Sequence, residues 1–310
     1  MKQLTIGSRG SKLALAQTHL IRALLQSAIP ELHVDVKTIR TTGDKLTATP
    51  LSKLAGDNKG LFVKEIEEAL LDGSIDLAVH SLKDLPTELP AGLVLGAIPK
   101  REDPRDALVA KRPLKSLDDL PIGSRVGTSS LRRETQLRHL RPDLEIVPIR
   151  GNVDTRIRKL DTENLSAVVL AAAGLRRLGL HQSIAFVFPA DQMVPAIGQG
   201  ALGLEVRSGD AEVRGLIEPL DDPATGLAVG TERTFLQTMG GGCQVPMGAH
   251  ATVGEDRVRL SAFVASPTGS TMLRETREET AADATRMAEE LARSLLDQGA
   301  GAILSEAGLR

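Results

Sequence analysis

The chain is poor in the residues that build several common functional sites. A single cysteine, Cys243, stands among 310 residues, which excludes an intramolecular disulfide and any multi-cysteine zinc or iron–sulfur centre. Tryptophan and tyrosine are absent and phenylalanine numbers 5, so the aromatic platforms on which unpaired bases stack are missing. No run reaches the roughly 18 to 20 apolar residues of a membrane span. The opening MKQLTIGSRG passes from a strand-like start into polar turn residues without an apolar signal segment. These absences point to a cytoplasmic protein with neither nucleic acid nor membrane as partner. The G-x-x-x-x-G-K-[ST] phosphate loop and the G-x-S-x-G elbow are missing too. His80 beside Ser81 does not make a triad, because neighbours on a strand point to opposite faces.

What is present reads as a globular protein of two or three domains, with 41% hydrophobic and 25% charged residues. The first third alternates strand-like runs (QLTIGS, HVDVKTIR, IDLAVHS) with helical patterns (LALAQTHLIRALLQSA, FVKEIEEALLDG), the rhythm of a parallel sheet with crossover helices. Between them, TTGDKLTATPLSKLAGDNKG is a long polar connection that reads as a lid. Prolines and charges near residue 100 mark a crossing into a second domain with the same grammar: SRVGTSS before LRRETQLRHL, LEIVPIRGN before VDTRIRKL, and LSAVVLAAAG before LRRLGL. IEPLDDPATG marks another boundary. From about Leu227 a helix, a small sheet including RVRLSAFVAS and an amphipathic helix from near Thr280 are expected.

Formal net charge is only -2, but between Arg125 and Arg177 there are 11 Lys or Arg against 6 Asp or Glu. The basic residues follow strands: Arg9 and Ser11 after the first, Ser81, Lys83 and Asp84 after IDLAV, Thr128, Ser129, Ser130, Arg132 and Arg133 after SRVG, Arg150 and Arg156 around RGNVDTR, and Arg176 and Arg177 after VVLAAAGL. Ligands of open α/β sheets sit beyond such strand ends, and guanidinium forks hold carboxylates or phosphates bidentately. The pattern points to an elongated ligand with several acids; solvated helix faces and salt bridges are the plain alternative. Asp84 either pairs with Lys83 or exchanges a proton at a cationic substrate nitrogen. Cys243, in MGGGCQVPMG, is a small buried hydrophobe, a transient nucleophile or a permanent anchor for a group on which chemistry is done.

Taken in order, GSRGSKLALAQ, KGLFVKEIEEALLDGSIDLAVHSLKDLP, REDPRDAL, GTSSLRRETQLRHLRPDLEI, RGNVDTRIRKL, VPAIGQGALGLE and MGGGCQVPMGA resemble the porphobilinogen deaminase (hydroxymethylbilane synthase) family over essentially the whole chain. Where that family usually has glutamate or a similar residue before the glycines, this chain has Gly240. The resemblance implies an α/β fold with two periplasmic-binding-protein-like domains around a cleft and a smaller C-terminal α/β domain. The expected division is 1–100 completed by 198–219, then 101–197, then 220–310 with the cofactor-attachment loop.

It further implies a transferase that deaminates porphobilinogen, joins four molecules head to tail on a dipyrromethane carried by a Cys243 thioether, and releases hydroxymethylbilane by hydrolysis. Asp84, Lys83, Arg9, Arg150 and Arg156 would serve catalysis. Ser11, Ser81, Lys83, Asp84, Thr128, Ser130, Arg132, Arg133, Arg150 and Arg177 would hold the cofactor, with Arg176 not assigned a direct contact. Lys59 and Phe62 would belong to the lid or cleft, Phe62 equally to the core. Porphobilinogen and the growing polypyrrole chain would be the ligands of a monomer needing no metal or nicotinamide. The rivals are a non-enzymatic polyanion-binding protein and a transferase using a transient thiolate adduct; a stable mass on Cys243 separates them.

Overall fold

A computed structural model describes residues 3–42, 63–240 and 245–306. The chain forms two compact units, Met1–Arg101 with Ala201–Gly226, and Glu102–Gly200 with Leu227–Arg310. It therefore leaves the first unit after Arg101, returns at Ala201 and leaves again after Gly226. Among the described residues no helix is long and apolar enough to cross a membrane.

The first unit is built on a five-stranded sheet of β1 (Gln3–Arg9), β2 (His33–Ile39), β3 (Leu77–Ser81), β4 (Leu93–Ala97) and β10 (Leu202–Arg207). Its order is β2-β1-β3-β10-β4. β1 runs parallel to β2 and β3, whereas the returning β10 is antiparallel to both its neighbours. Alternation along β3 sends Leu77 and Val79 to one face and Ala78 to the other. Helix Lys12–Ala28 covers the first face with Ile21 and Leu25, and helix Lys64–Leu71 covers the second with Ile66 and Leu70. Each fully buried side chain of this kind stabilises the unit by about 1.5–3 kcal/mol.

The second unit repeats the scheme with β5 (Asp106–Ala110), β6 (Arg125–Gly127), β7 (Glu145–Val147), β8 (Ala167–Ala171) and β9 (Ile184–Val187) in the order β7-β6-β8-β5-β9. Here β6 is parallel to β7 and β8, and β5, the first strand after the crossing, is the antiparallel one. The two lobes thus share one strand order. The same unit carries a three-stranded antiparallel sheet of β11 (Met247–Val253), β12 (Arg257–Ala265) and β13 (Met272–Thr280). Helices Pro223–Met239 and Ala284–Leu295 close over it with Phe235, Met239, Met287, Leu291 and Leu295. Helix Ala284–Leu295 starts later than the pattern suggests because β13 continues to Thr280 and a single 3-10 turn follows.

Candidate active site

In the first unit the carboxyl ends of adjacent parallel strands bring several singled-out residues together. β1 ends at Arg9 and β3 at Ser81, and Ser11 caps helix Lys12–Ala28 by accepting a hydrogen bond from the Ala14 amide at 3.2 Å. Ser81 exchanges hydrogen bonds with the Gln17 amide on that helix, at 2.8 and 3.2 Å. This ties the strand end to the helix, a partnership the sequence did not disclose. A one-turn 3-10 helix, Leu82–Asp84, follows, held by the Leu82 amide on the Ala201 carbonyl at 3.1 Å. Lys83 is half-buried and Asp84 exposed.

In the second unit, Thr128 to Ser130 follow β6, Arg150 follows β7, and Arg177 ends helix Ala172–Arg177 after β8. These are again neighbouring strand ends. Thr128 is buried and its Oγ1 accepts from the Ser130 amide at 3.2 Å, while the Ser129 hydroxyl donates to the Ile149 carbonyl at 2.6 Å. Ser130 occupies the N-cap of helix Leu131–Leu140 without a side-chain cap bond. Its hydroxyl is therefore uncommitted among the described residues, at a helix end that favours negative charge.

Arg132 and Arg133 are both buried on one carboxylate, Asp106. Arg133 donates from Nε to Asp106 Oδ1 at 2.9 Å and from Nη1 to the Val169 carbonyl at 3.1 Å. Arg132 Nη1 lies 2.7 Å from Asp106 Oδ2 and donates to the Val194 carbonyl at 2.6 Å. Burial alone would raise Asp106, but the two guanidiniums outweigh it and hold its carboxyl well below the ordinary range. Two cations against one anion leave an excess positive charge in the interior of the lobe. Gln199, from the IGQG segment, donates to Asp106 at 3.0 Å and to the Pro104 carbonyl at 2.7 Å. Neither Asp106 nor Gln199 was singled out in the sequence, although both lie inside quoted segments.

Arg156 donates from Nε to the Gly151 carbonyl at 2.8 Å. Gly151 has φ 109°, and a Cβ there would come within 2.7 Å of the Thr155 side chain, so the turn that aims Arg156 needs glycine. Arg176 Nη2 lies 3.0 Å from Asp103 Oδ2. Arg177 differs: Nη2 donates to the Gly200 carbonyl at 2.7 Å, while Nε is buried without a hydrogen-bond partner among the described residues. Burial, opposed by Glu102, brings its pKa down to about 10, so it remains a cation at neutral pH. An orphaned guanidinium N–H, a free hydroxyl at a helix end and surplus buried positive charge form a donor set suited to the carboxylates of a dipyrromethane.

The third sheet packs on the same lobe through Val194, Phe263 and Ala265. Glu232, fully buried in helix Pro223–Met239, accepts from the Gly198 amide at 2.7 Å and the Ala251 amide at 2.9 Å. It thereby joins the IGQG segment to β11. Buried Met239 before Gly240, and buried Val245 after it, bracket the segment 241–244. Cys243, Lys59 and Phe62 lie outside the described residues.

Comparison with known proteins accords with this donor set. Residues 4–215 match the family model described as porphobilinogen deaminase, dipyromethane cofactor binding domain, and residues 227–297 match porphobilinogen deaminase, C-terminal domain. The porphobilinogen deaminase of Syntrophobacter fumaroxidans is 52% identical over 302 residues, covering 97% of this chain and 96% of that protein. Its counterpart in Roseiflexus castenholzii is 53% identical over 302 residues, covering 97% and 98%. That of Geotalea daltonii is 50% identical over 306 residues, covering 99% and 95%. The chain belongs to the porphobilinogen deaminase family.

Proposed function

We propose the following division of labour for the family reaction, in which porphobilinogen is deaminated and four molecules are joined head to tail before hydrolysis releases hydroxymethylbilane. The observation that carries it is the first unit's half-site: one solvent-facing carboxylate, Asp84, beside Lys83 at the end of β3, with Arg9 at the end of the neighbouring strand. Asp84 accepts the pyrrole N–H of the substrate and offsets the positive charge that develops as ammonia leaves. It then takes the proton shed by the α-carbon after coupling. Lys83, Arg9, Arg150 and Arg156 hold the substrate acids during elongation, and as fixed cations the arginines transfer no protons.

The dipyrromethane, when bound, supplies the free pyrrole carbon at which the chain grows. Cys243 anchors it by a thioether. Ser11, Ser81, Thr128, Ser130 and Arg177 contribute donors to its carboxylates, as do those N–H groups of Arg132 and Arg133 not spent within the lobe. Residues 1–100 with 198–219, 101–197 and 220–310 act as three domains, the last presenting the anchor, in a cytoplasmic monomer. Lys59 and Phe62 serve the lid or cleft.

Intact mass under denaturing conditions tests the anchor. The wild-type chain should carry the added mass of two linked pyrroles on the Cys243 peptide, and Cys243→Ser should lack it; a normal adduct on the serine variant would sink the assignment. Asp84→Ala should melt within about 1 °C of wild type, as an exposed side chain predicts, yet lose about 10²–10⁴-fold in kcat. Retention of substantial turnover would remove Asp84 from its central role.

A further inference from the structure

Behind the strand end that carries Lys83 and Asp84 lies a buried acid–base cluster that the reaction does not use. His80 on β3 is 6% exposed and Glu205 on β10 is 0% exposed, and their Nε2 and Oε2 atoms are 2.9 Å apart. The second oxygen of Glu205 is equally buried and has no hydrogen-bond partner among the described residues. Glu67, on helix Lys64–Leu71, is buried as well and faces the pair. Burial foremost, then Glu205 and its helix neighbour Glu68, hold the Glu67 carboxyl above its ordinary value, while His80 pulls the other way. Two buried carboxylates beside a single imidazole would be costly. The raised Glu67 carboxyl lessens that cost. Among the described residues no group of three His, Cys, Asp or Glu is arranged to hold a metal ion, and the tie within the cluster is the His80–Glu205 hydrogen bond.

Its place in the sheet gives it a task. β10 pairs with β3 up to Leu202 opposite Ser81, with Gly203 opposite His80. The His80–Glu205 bond crosses this strand pair just before the chain leaves the sheet for the turn Leu82–Asp84. Gln17 holds Ser81 from the face covered by helix Lys12–Ala28, and Glu205 holds the preceding residue from the opposite face of the sheet. We propose that Glu205, acting through His80, is a positioning residue that fixes the end of β3 and so the placement of Lys83 and Asp84. This rests on the role given to Asp84 above. Misplacement of a reacting group by about 1 Å can cost on the order of 10²-fold in rate, which is the leverage such a tie provides.

The test uses holoenzymes of wild type, Glu205→Leu, which loses the acceptor at similar volume, and Glu205→Gln, which keeps an acceptor oxygen for His80. Adduct mass, melting temperature, kcat and KM for porphobilinogen are measured for each. Glu205→Leu should carry the adduct and keep KM within about two-fold while kcat falls about ten-fold or more, and Glu205→Gln should recover kcat to within about three-fold. A loaded Glu205→Leu with wild-type kcat would overturn the proposal, as would a glutamine variant no faster than the leucine one. Should Glu205→Leu not fold, His80→Asn, polar but too short to reach Glu205, gives the same comparison: lowered kcat at unchanged KM supports positioning, and wild-type kcat overturns it. Wild type that forms no hydroxymethylbilane would instead refute the function itself.

Discussion

Arg132 and Arg133 are adjacent in the chain yet converge on Asp106, because β5 delivers that carboxylate between them inside the lobe. Removing its charge would leave two buried guanidiniums without a counter-ion, the costly way to break a buried pair. Asp106→Asn should therefore destabilise the protein by about 3–5 kcal/mol at neutral pH. The sign with pH follows from linkage. The folded carboxyl sits below its ordinary value of 3.8, so its contribution is complete above that value and is lost as pH falls towards the depressed one. The gap in melting temperature between wild type and variant should be constant from about pH 5.5 to 8 and contract on acidification. A gap independent of pH down to the acid transition would mean that Asp106 acts by shape rather than charge.

At the level of helices and strands, β1, β2, β3, β6 and β8 and the helices after them were legible, because apolar alternation and helical spacing are strong in QLTIGS, IDLAVHS and LALAQTHLIRALLQSA. β4, β5 and β9 were passed over. DALVA and IAFV are short apolar runs beside prolines and charges, and their strand character comes from pairing with β8 and with each other. The strand-end residues were legible as a set because the fold class puts ligands there. Their partners were not, since Gln17 on Ser81, Asp106 between two arginines, and Glu205 on His80 are contacts over 26 to 125 positions.

Two serines at helix starts show what this changes. The Ser11 hydroxyl oxygen accepts from the Ala14 amide, whereas Ser130 makes no side-chain cap bond. Ser11→Ala should cost about 0.5–2 kcal/mol. Ser130→Ala should leave stability within about 0.5 kcal/mol and instead slow acquisition of the covalent adduct by apo-protein supplied with porphobilinogen. Equal thermal losses in the two variants would contradict the distinction.

Across the whole molecule, a net charge of -2 conceals a strongly basic stretch from Arg125 to Arg177, and the fold gathers its strand-end arginines at one end of a single sheet. Each porphobilinogen brings an acetate and a propionate, so the ligand grows more anionic with every addition and the attraction it needs is not that of a single phosphate. The basic groups divide by depth. Arg132 and Arg133 are buried, where salt screens weakly, while Arg150, Arg156 and Arg177 are half-buried and so partly open to solvent. The Debye length falls from about 10 Å at 0.1 M to about 3 Å at 1 M. Added salt should therefore weaken capture of each incoming porphobilinogen through the open cations while sparing the contacts of the buried ones. Raising ionic strength from about 0.05 to 0.5 M should increase KM several-fold, change kcat by less than about two-fold, and leave the covalent adduct in place by intact mass. A fall in kcat at constant KM would show instead that the open arginines act in the chemical step after capture, and would move Arg150 and Arg156 from holding substrate acids to stabilising charge during bond formation.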